Sequence, residues 1–231
     1  MSPYLGEFIG TAILILLGDG CVANVILRGT KGNGSGWIVI TTGWAVAVFV
    51  PAMIFGSISG GSFNPALTIG LAAAGKFDPA MVPGYIGAQF AGAFVGAFLV
   101  WLMYKNHFDE TTDPGTQLGV FSTGPAIRNT GRNLISEIIG TFCLVFFLSV
   151  PNGSQFGGFF VYAVILTIGI SLGGTTGYAI NPARDLGPRI AHAVLPIKGK
   201  GSSDWGYAWI PVVGPVVGAI LGALTGAALF K

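Results

Sequence analysis

The side chains able to do chemistry in this chain are few and oddly placed. Of 231 residues, 9% are charged and 52% hydrophobic, yet Arg184 and Asp185 stand side by side in GYAINPARDLGPR, residues 177–189. An arginine inside an apolar span costs about 2.5–3.5 kcal/mol on insertion scales, so it faces a cavity or a partner and marks a function. Neighbours on a helix point about 100° apart. Arg184 is therefore expected to face a lumen as a donor, with Asp185 bracing the adjoining loop. Asn64 and Asn181 each open an Asn-Pro-Ala box. A helix-capping asparagine uses its side-chain oxygen, which leaves the amide NH2 free to donate into a pore. Glu7 and Glu137 could be proton-relay carboxylates. Their symmetric placement beside two irregular loops favours buried acceptors for loop N–H groups. His107 and His192 have no carboxylate or nucleophile at a telling spacing and read as non-catalytic. Cys21 and Cys143 form no CxxC pair, so neither a disulfide nor a metal site is expected. Nothing here asks for a cofactor or an enzymatic step.

These residues must be held by apolar elements. Hydrophobic stretches run at about 4–27, 38–58, 83–104, 133–151, 156–176 and 207–230, each near the ~20 residues that cross a bilayer as a helix. Two more, 65–74 and 182–194, are helix-like but too short to span. With a mean hydropathy of +0.73, the chain reads as an all-α membrane protein of six transmembrane helices and two half-helices. Its 38 glycines suit close helix packing in lipid, and Gly214, Gly218, Gly222 and Gly226, every fourth residue, read as a packing seam. A net charge of +2 does not suggest a nucleic-acid partner. MSPYLGEF lacks a basic leader and cleavage site, so the first segment reads as a retained anchor. Asp19 lies about 22 Å along the first helix from Tyr4, near an interface. It reads as a solvated helix end, or secondarily as part of a vestibule.

The chain is written twice. Glu7, Gly10 and Thr11 in GEFIGTAILILL recur 130 residues later as Glu137, Gly140 and Thr141 in SEIIGTFCLVFF. FNPALTIG at 63 recurs 117 residues later as INPARDLG, and Gly92 and Gly96 recur 126 residues later as Gly218 and Gly222. Three spans per copy is odd, so the copies are inverted relative to one another. The expectation is one domain over 1–231, with repeats 1–104 and 132–231 joined by a polar external loop, 105–131. Pro65 and Pro182 suit the first helical position after the Asn caps. Half-helices of about 15 Å entering from opposite faces would meet near the midplane with their positive dipole ends together. Irregular backbone at that depth is tolerated only where it is packed by protein or lines a water-filled cavity. GSISGGSF and GGTTGYAI therefore point to a polar pore.

Two Asn-Pro-Ala boxes in inverted halves, each half opened by Glu-x-x-Gly-Thr, resemble the aquaporin and glycerol-facilitator (major intrinsic protein) family over essentially the whole chain. The Asp after NPAR and the stretch FSTGP at 121–125 resemble its glycerol-conducting branch. The resemblance implies an aquaporin-like right-handed bundle with re-entrant half-helices. It also implies a plasma-membrane homotetramer with one pore per subunit and cytoplasmic termini. A bare positive-inside count disagrees on orientation: Arg28, Lys31, Arg128, Arg132, Lys198 and Lys200 lie in loops after odd-numbered spans, against only Lys76 between spans two and three and none between four and five.

Matching the family's filter by distance from the boxes gives Trp44, Gly169, Tyr178 and Arg184. The glycerol branch typically has Trp, Gly, Phe and Arg there, while the water branch has Phe first and His second. Tyr178 in place of Phe is one departure, and Ser62, where the family often has His, is another. Trp44 and Tyr178 would otherwise be interfacial aromatics. Gly169 counts as missing bulk opposite Trp44, and the Tyr178 hydroxyl would add a polar handle.

The expected function is a passive channel for glycerol and other small neutral polar solutes: water, dihydroxyacetone, urea or protonated lactic acid. Carbonyls of Gly60, Gly61, Ser62 and Phe63, with those of Gly177, Tyr178, Ala179 and Ile180, would form an acceptor ladder. The boxes Asn64-Pro65-Ala66 and Asn181-Pro182-Ala183 would form the pore centre, and Arg184 with the helix dipoles would oppose cations and protons. The alternatives are a water-selective channel, a coupled secondary transporter, which also uses inverted repeats and broken helices, or a closed junction protein.

Overall fold

A computed structural model describes residues 1–151 and 158–230. All of its regular elements are helical: α1 (Pro3–Ile26), α2 (Trp37–Ser59), α3 (Pro65–Ala73), a 3-10 turn (Pro79–Met81), α4 (Val82–Met103), α5 (Lys105–Glu110), α6 (Pro114–Phe121), α7 (Thr130–Leu148), α8 (Gly158–Leu172), α9 (Pro182–Val194) and α10 (Ile210–Leu229). Five apolar segments are long enough to cross a membrane, those built on α1, α2, α4, α7 and α10. The fifth expected span, 156–176, appears as α8, 15 residues long. That is about 22 Å of helix, because Gly173 and Gly174 end it early, and its expected first two residues lie outside the described ones.

Glycine at the helix crossings sets how closely the spans approach. A Cβ on Gly92 of α4 would lie 2.2 Å from the Phe8 carbonyl of α1, and one on Gly218 of α10 would lie 2.3 Å from the Ile138 carbonyl of α7. These are the same crossing in the two halves. The seam expected along α10 is therefore real contact with α7, where Gly214, Gly218, Gly222 and Gly226 each abut it.

The short helices exchange partners between halves. A Cβ on Gly70 of α3 would lie 2.7 Å from the Ala219 carbonyl of α10, while one on Gly187 of α9 would meet Ala93 of α4 at 2.6 Å. Each half-helix thus packs on the last span of the other half, and α2 packs on α8 at the centre. Together α3 and α9 run about 14 and 20 Å, close to the ~30 Å hydrocarbon thickness.

The connection 105–131, expected as a loop, carries α5 and α6 and is anchored inward. Phe108 and Phe121 are fully buried and stack at 5.3 Å between centroids. Gln117 donates to the carbonyls of Phe108, Thr111 and Lys198. The segment's polar composition hid these two apolar anchors. His107, expected in that loop, sits on α5, with Nδ1 3.0 Å from the Arg28 carbonyl.

Candidate functional site

The half-helices begin where asparagine caps them. Asn64 Oδ1 accepts from the amides of Ala66 (2.9 Å) and Leu67 (3.4 Å). Asn181 Oδ1 accepts from those of Ala183 (3.0 Å) and Arg184 (3.2 Å). Pro65 and Pro182 follow at the first helical position, where no amide hydrogen is needed. The amide nitrogens do more than the sequence suggested. Asn64 Nδ2 donates to the Ile180 carbonyl and Asn181 Nδ2 to the Phe63 carbonyl, both at 2.8 Å. The two helix starts are clasped head to head, and one hydrogen of each NH2 remains for the lumen.

The loops leading into these caps are strained. Phe63, Tyr178 and Ile180 have φ of 45°, 38° and 43°, a left-handed conformation that costs a non-glycine residue about 1–3 kcal/mol. Two buried glutamates hold it. Glu7 accepts from the amides of Ser62 (3.1 Å) and Phe63 (2.7 Å), from Ser59 Oγ (2.7 Å) and from Gln89 Nε2 (2.7 Å). Glu137 accepts from the amides of Ala179 (3.0 Å) and Ile180 (2.9 Å) and from Thr176 Oγ1 (2.7 Å). In all of these contacts the glutamates accept, and turning the loop amides toward them sends the intervening carbonyls elsewhere. Those of Gly60, Gly61, Ser62, Gly177, Tyr178 and Ala179 accept no hydrogen bond among the described residues.

A cavity of about 670 Å³ runs along this construction. Its lining combines Gly60, Gly61, Ser62, Ala179, Ile180 and the two asparagines with the aliphatic side chains of Leu14, Val48, Leu67, Leu144, Val145 and Ile165. Trp44, Tyr178 and Arg184 border it, and each is at least nine-tenths buried. The Arg184 guanidinium stacks on Trp44 with its carbon 3.9 Å from the ring centroid. Its Nη1 donates to the Phe121 carbonyl at 3.3 Å and reaches Asp19 Oδ1 at 3.5 Å.

Several expected residues stand differently. Phe63 and Gly177 do not border the cavity, and the carbonyls of Phe63 and Ile180 already accept from the asparagine clasp. Gly169 does not border it either. A Cβ there would fall 2.9 Å from the Tyr178 ring and hydroxyl and 3.0 Å from Thr41 Cγ2. Together with Gly173 it makes a notch in α8 that receives the Tyr178 ring. The Tyr178 hydroxyl is buried over that notch without a partner among the described residues, so it offers the lumen no handle. Asp19, expected as a solvated helix end, is fully buried. It lies seven residues before the end of α1, where Arg184 of α9 reaches it.

Asp185 braces a loop, though not the one beside Glu137. Its Oδ2 accepts from the Thr123 amide (2.8 Å) and hydroxyl (2.7 Å), and Arg189 closes on both its oxygens at 2.8 and 3.0 Å. Arg189 also donates to the carbonyls of Thr123 (2.9 Å) and Ser203 (2.8 Å), so a fully buried guanidinium is satisfied around its whole rim. His192 lies beside it with Nδ1 2.8 Å from Ser203 Oγ. Sequence reasoning missed Arg189, Thr123 and Phe121 as parts of the site. The i, i+4 spacing of Asp185 and Arg189 on a half-helix was the available signal.

The sequence matches the family described as Major intrinsic protein over residues 1–225. It is 56% identical over 218 residues to a Thermotoga maritima protein named probable glycerol uptake facilitator protein, covering 93% of each chain. A Streptococcus pneumoniae protein named glycerol uptake facilitator protein matches at 56% over 218 residues, again covering 93% of each. The X-ray structure of the aquaglyceroporin from Plasmodium falciparum superposes with a TM-score of 0.85 at 32% identity, covering 98% of this chain and 95% of that one. With capped, clasped half-helices and a match spanning nearly its whole length, the chain belongs to the major intrinsic protein family.

Proposed function

We propose that the chain is a passive channel for glycerol and other small neutral polar solutes, with some water and without ions or protons. The observation that carries this reading is the mixed lining of the cavity, where free carbonyls and two amide NH2 groups meet aliphatic side chains. A polyol has the same mixed character. Its carbon edge slides on Leu67, Val48 and the rims of the Trp44 and Tyr178 rings, while its hydroxyls exchange water for Arg184, the carbonyls and the asparagines. Hydrated ions lose more on entering than such a lining returns, and Arg184 with two positive helix ends opposes cations. The names of the similar proteins support glycerol over water alone. Dihydroxyacetone, urea and protonated lactic acid share the required size and neutrality.

In this reading Trp44, Tyr178 and Arg184 form the selectivity filter. Gly169 acts indirectly by letting the Tyr178 ring stand back. The whole chain is one channel domain of two inverted repeats, 1–104 and 132–231, in a plasma-membrane homotetramer with cytoplasmic termini. Some cations in the opposing positive-inside count have structural duties. Lys200 caps α9 through the carbonyls of His192, Ala193 and Leu195, and Arg128 pairs with Asp204.

Stopped-flow light scattering on proteoliposomes tests the proposal. Wild-type vesicles should swell with glycerol at a rate independent of proton or sodium gradients. Gly169→His fills the notch and drives a ring into the constriction, so glycerol flux should vanish while much of the water flux remains. Vesicles that pass water but never glycerol would refute the glycerol reading.

A further inference from the structure

Arg184 is the third residue of α9, and the N-termini of α3 and α9 meet beside it. A guanidinium next to helix N-termini is the construction that binds anions, yet a channel for neutral solutes must not hold one. The adjacent acid does not cancel this charge, because Asp185 is occupied by Arg189 and Thr123. Asp19 is the only carboxylate paired with Arg184 among the described residues, 165 positions away in sequence. It is fully buried, and its second oxygen has no partner among the described residues. The same guanidinium that reaches Asp19 stacks on the Trp44 ring. The residue before Asp19, Gly18, lets Trp44 approach so closely that a Cβ there would lie 2.3 Å from the indole. One dipeptide of α1 therefore backs two residues at the constriction.

We infer that Asp19 is a specificity-determining residue acting through Arg184: its buried carboxylate is the fixed counter-charge that stops the guanidinium from capturing small anions and leaves it to neutral hydroxyls. This rests on the channel reading for its consequence, though not for its chemistry. Asp19 touches no solute. It positions Arg184 and sets the net charge of the constriction.

The probe is nitrate, compared with glycerol in proteoliposomes of the full chain. In Asp19→Asn the ratio of nitrate to glycerol flux should rise about tenfold or more, as expected when an uncompensated charge lines a narrow cleft. Asp19→Glu, which keeps the counter-charge, should hold the ratio near the wild-type value. A folded Asp19→Asn protein with the wild-type ratio would overturn the inference. A second measurement needs no transport, so failure of the channel reading does not remove the test. Nitrate should raise the Tm of purified Asp19→Asn but not of wild type or of the double variant D19N/R184Q, and an equal response in all three overturns the inference. Should Asp19→Asn alone misfold, the double variant should recover the folded yield. A double variant that folds as poorly would make Asp19 a packing residue.

Discussion

The two half-helices are one scaffold with different chemistry. α3 and α9 share the asparagine cap, the following proline, the strained residue before the cap and the glutamate behind it. They part at the next turn. Where α9 has Arg184, Asp185 and Arg189, the positions 117 residues earlier are Leu67, Thr68 and Ala72. Leu67 belongs to the aliphatic part of the cavity lining, to which Arg184 adds a charge. Thr68 accepts from Gln89 where Asp185 takes an ion pair and two loop donors. The repeat thus supplies two matching capped helix starts beside the cavity, and substitution in one copy adds an arginine to its lining and an ion pair behind it. The glutamates carry a smaller asymmetry. Gln89 gives Glu7 a fourth donor, and the corresponding position on α10 is Pro215, which has none to give.

Removing the shared part should cost most. Glu7→Ala takes the acceptor from four donors and Glu137→Ala from three, at about 1–3 kcal/mol for each one left buried and unpaired. Both variants should lose most of their monodisperse yield in detergent, Glu7→Ala more severely. Normal folding with an altered pH dependence of transport would instead make the glutamates proton carriers.

The divergent positions should respond unequally. Asp185→Ala leaves the Arg189 guanidinium buried without its carboxylate, at about 3–5 kcal/mol. Thr68→Val removes ordinary hydrogen bonds at about 1 kcal/mol. Thermal melting of the purified variants should therefore separate them widely, and matching losses would mean that the α9 network is not the stronger brace.

The seams should respond equally. Gly92→Ala and Gly218→Ala each force a methyl onto a facing carbonyl, at about 1–3 kcal/mol for overpacking. Their Tm shifts should agree closely. A marked difference would show that the two crossings, alike in geometry, are not alike in rigidity.

Much of this architecture was legible because its causes are local. Hydropathy marked the spans, Asn-Pro marked the starts of α3 and α9, and the 130-, 117- and 126-residue echoes paired the elements. The short α8 and the folded connection were less so. Gly173 and Gly174 sit inside an apolar run whose end only packing defines, and residues such as Phe108 and Phe121 are too sparse in 105–131 to announce a buried anchor.

The sequence by itself determined that two capped half-helices must meet inside an apolar bundle, since cap preference, proline geometry and hydrophobic length act within a few residues. Which charges face one another was decided only by tertiary structure. Asp19 and Arg184 lie 165 residues apart, and Thr123 lies 62 residues from Asp185. The Tyr178 hydroxyl turns from the lumen because glycines on another helix leave it room. A pattern read along one strand of sequence shows which residues share a helix face, but the partner across a cavity depends on how the helices cross.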